Sequence, residues 1–134
     1  MSEADAEIIG REFVDALNAG DSASLNRLFA EEVTWTFPGD FEFSGTHDGK
    51  TAVFERFLGP AGALFDPPAT PPIELHNVVA QDGVVAVEYT ARMRTAIGKN
   101  YENHYVLMLD VADGRIRHVR EYNDTSHLRS VCYR

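Results

Sequence analysis

The sequence predicts one α+β domain, because helical and strand-like patterns occupy different parts of the chain. Apolar residues near the N-terminus recur at three- and four-residue steps, which is the period of one helical face. After a Pro-rich run at 67–72, a rigid spacer, long strand-like segments are separated by Asp82-Gly83 and Asp113-Gly114, two strong hairpin signals. Helices followed by antiparallel strands are typical of α+β domains and not of wound parallel sheets. At 134 residues we expect a single domain, 1–134.

The N-terminal part predicts an αα-hairpin and then a third helix. Ser2 is placed to cap the first helix, and Gly20 ends it because glycine readily takes the left-handed conformation. Asp21 caps a second, shorter helix. The third helix follows a turn at 45–49, with Asp48 as its cap. Its predicted buried face consists of Val53, Phe54, Phe57 and Leu58.

The strands are predicted from β-branched and aromatic runs. Residues 33–37 form a first strand that ends at Pro38-Gly39, and residues 41–44 are a candidate for a short second strand. The second half of the chain predicts an antiparallel meander. Its four strands cover residues 73–81, 84–95, 101–111 and 115–123.

The composition argues against several classes of partner and cofactor. A formal net charge of −9 repels nucleic-acid phosphates and anionic lipid heads, so we expect neither nucleic acid nor a membrane as partner. The first five residues carry acids where a secretory signal carries bases, which predicts a cytoplasmic protein. Cys132 is the only cysteine, and His118 and His127 lack partners at metal-ligand spacing. There is no glycine-rich phosphate loop and no nicotinamide fingerprint, so we predict no metal and no cofactor.

Several landmarks occur in an order that resembles a known superfamily. They are Asn18-Ala19-Gly20-Asp21, Val33-Thr34-Trp35, the turn at 45–49, and the ending at 113–116 and 120–124. Over nearly the whole chain this order resembles the NTF2-like superfamily, and within it the SnoaL-like polyketide cyclase and ketosteroid isomerase-like group. The resemblance implies a cone-shaped (cystatin-like) fold, in which three N-terminal helices pack on a curved, mostly antiparallel sheet and enclose a pocket for a small apolar molecule. It also implies frequent dimerisation through the sheet, but no single activity, because the fold hosts both enzymes and binders.

Polar residues alternate along the strand 84–95. Glu88, Thr90 and Arg92 share one face of it, because successive side chains of a strand point to opposite sides. A sheet facing solvent explains this pattern, whereas the resemblance implies that the polar face lines the cavity. In the second case the alternate, apolar residues lie on the outer face of the sheet. Such an exposed apolar patch predicts a homodimer in which a second copy covers it. The apolar set is Tyr89, Ala91 and Met93.

Glu121 is the leading candidate for a general base. A carboxylate in an apolar cavity has a raised pKa, which brings it nearer to neutral pH; the alternative is an exposed strand residue paired with an arginine. Limonene epoxide hydrolases share the fold and use an Asp–Arg–Asp set, of which one Asp precedes a Tyr on the last strand, as Glu121 precedes Tyr122. The other two positions fall on Glu88 and Thr90, so the resemblance implies that this mechanism is disfavoured.

Further candidates would assist Glu121. Arg92 would hold Glu121 ionised or bind an enolate oxygen. A three-residue turn at 97–99 would pair His104 with Arg92 inside the cavity, whereas a two-residue turn at 98–99 would bring Tyr105 inside instead. Asp124 is a candidate acid or base at the cavity mouth, or a helix cap.

Trp35 and Phe37 alternate on the first strand and are predicted to form the cavity wall. The sequence thus predicts a cofactor-independent acid–base enzyme acting on a small, mostly apolar carbonyl compound, as an isomerase, cyclase or dehydratase. Glu88 and Thr90 are further candidates for substrate binding. The alternatives are a non-catalytic ligand-binding or dimerisation module, and a limonene epoxide hydrolase-like enzyme with altered residues.

Overall fold

Two capped helices open the chain in the computed structural model, which describes residues 1–134. Ser2 and Asp5 form a reciprocal capping box at the start of α1 (Glu3–Ala19), and Gly20 ends it with a φ of 64°. The Asp21 side chain accepts a hydrogen bond from the Ser24 amide at 3.1 Å and caps α2 (Ser22–Leu28). The predicted αα-hairpin is therefore confirmed.

The third helical segment is irregular. A π-helix, Ala52–Leu58, continues into a single α-helical turn, α3 (Gly59–Gly62). The predicted cap is wrong, because Asp48 belongs to a strand and the residue before the π-helix, Thr51, makes no side-chain capping bond. A fourth helix, α4 (Thr125–Cys132), ends the chain. None of these helices has both the length and the apolar run that a membrane-spanning helix needs.

Six strands form one mixed sheet in the order β2-β1-β6-β5-β4-β3. The meander from β3 to β6 is antiparallel as predicted, whereas β1 lies parallel to β6. The second strand lies at 45–48 and not at 41–44, because the Ser44 amide and hydroxyl close a turn onto the carbonyls of Phe41 and Pro38. The strands are β1 (Phe29–Phe37), β2 (Gly45–Asp48), β3 (Ile73–Gln81), β4 (Val84–Arg94), β5 (Asn100–Ala112) and β6 (Arg115–Asn123).

The β4–β5 turn decides which residues of these two strands lie opposite each other. The Thr95 amide donates to the Lys99 carbonyl at 2.8 Å, so the three-residue turn is 96–98 and not 97–99. Thr90 therefore lies opposite His104, and Tyr89 lies opposite Tyr105. Cross-strand partners share a face of the sheet, so Thr90 and His104 lie on one face and Tyr89 and Tyr105 lie on the other.

The core lies between the helices and one face of the sheet. Phe13 of α1 and Leu107 of β5 are fully buried in it. Gly10 lets α1 approach β4 closely, since a Cβ atom there would lie 2.6 Å from Val85 Cγ1. The predicted α+β architecture, with helices closing a mostly antiparallel sheet over a pocket, is confirmed, and α4 is the addition to it.

Candidate functional site

A cavity of about 700 Å³ lies between the inner face of the sheet and the helices. The end of α1, the π-helix, α3 and the Pro-rich segment 67–72 close it on the other sides. Most of its lining is apolar and aromatic. The chief wall residues are Trp35, Phe37, Phe57, Phe65, Met93 and Leu128.

Glu121 lies at the inner face of β6 and is only 6% exposed. Trp35 Nε1 donates to its Oε1 at 2.9 Å, and Asn123 Nδ2 donates to its Oε2 at 2.7 Å. Burial raises the pKa of Glu121 to about 7, because desolvation outweighs the two donors, which lower it. A carboxyl group with this pKa can accept or release a proton at neutral pH.

The indole that contacts Glu121 is held rigidly. Trp35 is 2% exposed, and its ring packs against the rings of Phe13 and Phe57 at centroid distances of 5.9 and 5.2 Å. The parallel pairing of β1 with β6 places Trp35 beside Val119, two residues before Glu121. A long-range strand contact thus brings the donor to the carboxylate.

Two tyrosines supply hydroxyl groups at the same cavity. The rings of Tyr89 and Tyr105 stack with centroids 4.9 Å apart and an interplanar angle of 7°. Burial raises the pKa of both phenols well above the ordinary value, and the nearby Glu121 carboxylate raises it further. Both therefore stay neutral and can donate hydrogen bonds. The Tyr105 hydroxyl contacts that of Tyr101, whereas the Tyr89 hydroxyl has no partner within the protein.

The polar set of β4 faces away from the cavity. Arg92 lies on the outer face, where its Nε and Nη1 contact Glu102 at 2.7 Å and Glu74 at 2.8 Å. Glu88 accepts from the Asn77 side-chain amide there, at 2.6 Å. The predicted cavity position of Glu88, Thr90 and Arg92 is wrong, because Tyr89, Ala91 and Met93 occupy the cavity-facing positions of this strand and successive side chains point to opposite faces.

The structure also corrects the positions of the residues that were predicted to assist Glu121. His104 is exposed on the outer face, where its Nδ1 and the Nε2 of His76 both contact the Thr90 hydroxyl, at 2.9 and 2.8 Å. Tyr105, the alternative to His104, is the residue that lines the cavity. Asp124 is exposed and caps α4, its Oδ1 accepting from the His127 amide at 3.1 Å.

The apolar set of β4 lies inside. Tyr89, Ala91 and Met93 line the cavity, so the apolar outer patch inferred from them is absent. The homodimer stays a prediction, but without this reason for it. Trp35 and Phe37 do line the cavity, as the strand alternation predicted.

Four site residues escaped the sequence reasoning. They are Tyr89, Asn123, and the buried pair Tyr101 and Asn103 behind Tyr105. For Asn123 a signal existed, since a residue two positions after Glu121 on a strand shares its face.

No three His, Cys, Asp or Glu side chains lie close enough together to bind a metal ion, and the only charged residues in the cavity lining are Glu121 and Asp66.

This architecture defines the class as an NTF2-like protein with the cystatin-like fold. A family model described as the SnoaL-like domain matches residues 10–119, and the chain belongs to that family. The resemblance seen in the sequence is thereby confirmed. None of the curated proteins matches this sequence.

Solved structures share the fold over almost the whole chain. An NTF2-like protein from Burkholderia xenovorans LB400 is 27% identical, with 99% of each chain covered and a TM-score of 0.77. A putative SnoaL-like polyketide cyclase from Jannaschia sp. CCS1 is 14% identical, covers 97% of this chain and 92% of its own, and has a TM-score of 0.81. TerC, co-crystallised with polyporic acid, is 17% identical, with 95% and 98% covered and a TM-score of 0.79. At these identities the last two show the fold alone.

Proposed function

We propose that the protein is a cofactor-independent acid–base enzyme that binds a small, mostly apolar carbonyl compound in its cavity and moves a proton on it. The reaction class is that of an isomerase, cyclase or dehydratase. One observation carries the proposal: a buried carboxylate, Glu121, lies in an apolar cavity with a pKa of about 7 and with only neutral donors on it. A group with that pKa suits proton transfer at neutral pH.

In this reaction Glu121 removes a proton from the carbon beside a carbonyl group. The negative charge that develops on the carbonyl oxygen needs hydrogen-bond donors, and the phenols of Tyr105 and Tyr89 are available for it. Neutral phenols stabilise such charge without holding Glu121 in its ionised form, which an arginine beside it would do. The tyrosines thus take the roles first considered for Arg92 and His104.

The cavity lining supports an uncharged, mostly hydrocarbon ligand. Trp35 and Phe37 offer aromatic surface for a carbon skeleton, and no Lys, Arg or His side chain lines the cavity to bind an anionic group. Membership of the SnoaL-like family and the likeness to a putative polyketide cyclase support a cyclic ketone or polyketide-like substrate. A fold neighbour, TerC, was co-crystallised with polyporic acid.

The alternatives fit the cavity less well. A pure binding module would be expected to have a filled or wholly apolar pocket, whereas Glu121 and two phenols converge here. On β4 the cavity-facing residues are Tyr89, Ala91 and Met93, and not the Arg and Asp of the epoxide hydrolase set.

A substrate screen tests the proposal. Cyclic and aromatic ketones with an acidic α-carbon are incubated in deuterated water, and exchange at that carbon is followed by mass spectrometry. The wild-type protein is expected to accelerate exchange for at least one of them, and Glu121→Gln is expected not to. Binding without exchange across the whole panel would favour the non-catalytic module.

The homodimer is retained as a proposal on different residues. Tyr122 and Val106 lie opposite each other on the outer face of the sheet, with exposures of 53% and 36%. Apolar groups placed there are suited to burial against a second copy. Light scattering is expected to show a dimer, and Tyr122→Asp is expected to dissociate it; a monomeric wild-type protein would contradict the proposal.

A further inference from the structure

The side chain of Asn103 has a fixed orientation. It is 1% exposed, and its Oδ1 accepts hydrogen bonds from the backbone amides of His104 at 2.9 Å and Asp124 at 3.1 Å. Backbone amides only donate, so the atom facing them must be the oxygen. The amide nitrogen therefore points the other way, where it donates to the Asp124 carbonyl at 3.1 Å and to the Tyr101 hydroxyl at 2.8 Å.

This orientation determines the role of the Tyr101 hydroxyl. Its oxygen accepts from Asn103, and the one other group in contact with it is the Tyr105 hydroxyl. Tyr101 is itself 1% exposed, with its ring packed between those of Phe65 and His127. If Tyr105 donated to Tyr101, the Tyr101 proton would be buried without an acceptor, which costs about 1–3 kcal/mol. Tyr101 must therefore donate to Tyr105.

The direction of these hydrogen bonds, from Asn103 to Tyr101 to Tyr105, has a consequence for the cavity. A phenol has one proton, and the Tyr105 oxygen is occupied by the Tyr101 donor, so the Tyr105 proton is free to point into the cavity. Successive hydrogen bonds in one direction polarise each other, which strengthens the last donor. Burial keeps Tyr105 neutral, so this proton stays in place.

We propose that Asn103 and Tyr101 are positioning residues that fix the direction of a hydrogen-bond chain, Asn103 to Tyr101 to Tyr105, so that Tyr105 always presents a proton to the carbonyl oxygen of the ligand. The inference rests on the proposed function, because it needs a ligand with such an oxygen. It assigns a role to two buried residues that do not touch the ligand.

The test uses acetylnaphthalene, an aromatic methyl ketone, labelled with carbon-13 at the carbonyl. Isotope-edited infrared spectroscopy of the ketone bound to the full-length protein measures hydrogen bonding at the oxygen, because a donor lowers the stretching frequency. The wild-type protein is expected to lower it relative to an apolar solvent. Tyr105→Phe is expected to remove most of that shift, leaving at most the part that Tyr89 supplies, and Tyr122→Phe on the outer face is the matched control with no effect.

Asn103→Asp tests the direction of the chain. Its carboxylate would accept from Tyr101 instead of donating to it, so Tyr105 would turn its proton toward Tyr101 and offer the ligand only lone pairs. The shift should then be lost although Tyr105 is intact, an effect that a merely structural role would not produce. Tyr101→Phe, which keeps the ring, is the second variant and should reduce the shift, since Tyr105 loses its polarising donor.

The outcomes separate the two proposals. A wild-type carbonyl band that Tyr105→Phe leaves in place, or that Asn103→Asp and Tyr101→Phe both leave unchanged, would overturn the hydrogen-bond chain while the general-base role of Glu121 survives. Failure of the wild-type protein to bind any ketone of the cyclic and aromatic panel would overturn the proposed function and this inference with it.

Discussion

On the two faces of the sheet, the pKa values of carboxylates are shifted in opposite directions. On the outer face, Glu74 shares Arg92 with Glu102, and hydrogen bonding to that guanidinium holds the pKa of Glu74 below its ordinary value. On the inner face, Glu121 has no cationic partner, and burial raises its pKa to about 7. Both carboxylates are on strands of the same sheet. The difference shows that burial without a cationic partner raises the pKa of a carboxylate, whereas a guanidinium at the surface lowers it.

The largest expected effect comes from removing the inner carboxylate. Glu121→Gln keeps the shape and removes the base, so kcat/KM on the cognate ketone should fall by about 10²-fold or more, within the range that general bases supply. Steady-state kinetics measure it. Glu88→Gln makes the same chemical change on the outer face and serves as the control. Equal activity of the two variants would contradict the assignment of the base.

The buried carboxyl also affects stability. Its pKa in the folded protein is about 7, above the ordinary value of 4.5, so Glu121 favours the folded state most below pH 4.5, and this contribution is lost as pH rises through 7. Above pH 7, Glu121→Gln should therefore be more stable than the wild-type protein, by something on the order of 3 kcal/mol. Denaturant unfolding across the pH range measures this.

If the free energies of unfolding of the wild-type protein and Glu121→Gln approach each other toward acidic pH, the sign of the effect is confirmed. A constant difference between wild type and Glu121→Gln at every pH would mean that the pKa of Glu121 is not raised. The control is again Glu88→Gln, whose stability difference from the wild type should not follow this pH dependence.

A smaller change is expected from the donor to Glu121. Trp35 Nε1 donates to the carboxylate and so lowers its pKa. Trp35→Phe removes that donor, and the acidic limb of the kcat/KM profile should move to higher pH by about one unit, which corresponds to one hydrogen bond to a charged group. Phe57→Leu, which alters the same wall without touching Glu121, is the comparison. A limb that moves to lower pH in Trp35→Phe would contradict the donor role.

The smallest effect is expected on the outer face. Arg92→Gln breaks two exposed ion pairs, and exposed pairs contribute little to stability. We expect kcat/KM and its pH profile to remain unchanged. A large loss of activity in this variant would restore the catalytic role that the sequence suggested for Arg92 and would undermine the comparison between the two faces.

The sequence was informative where local signals determine structure. Ser2 and Asp21 cap helices as predicted, and Asp82 and Asp113 adopt the positive φ angles of 50° and 54° that their turns require. It failed on β4, where the polar set that includes Thr90 was expected inside the cavity and lies on the outer face of the sheet. No short-range pattern marks that choice, because burial of the whole apolar face determines it.

The candidate site was predictable only in part, because most of its contacts join residues that are distant in the sequence. Glu121 could be singled out from its position before Tyr122, but its donor Trp35 lies 86 residues away in the chain. The chain from Asn103 to Tyr105 depends on the orientation of one buried amide, held by the backbone of Asp124. Such contacts exist only after the strands have paired and α4 has packed.

The Pro-rich segment that closes the cavity is attached only at its ends. The Asn18 side chain exchanges hydrogen bonds with the backbone of Ile73, at 2.8 and 3.2 Å, and the Asp66 amide donates to the Arg94 carbonyl at 2.9 Å. Residues 67–71 between these attachments make no backbone hydrogen bond. The buried polar groups on the sheet and the segment that covers the cavity are therefore separate parts of the chain. If the proposed function is correct, a change in the length of this segment should alter which ligands fit without moving Glu121.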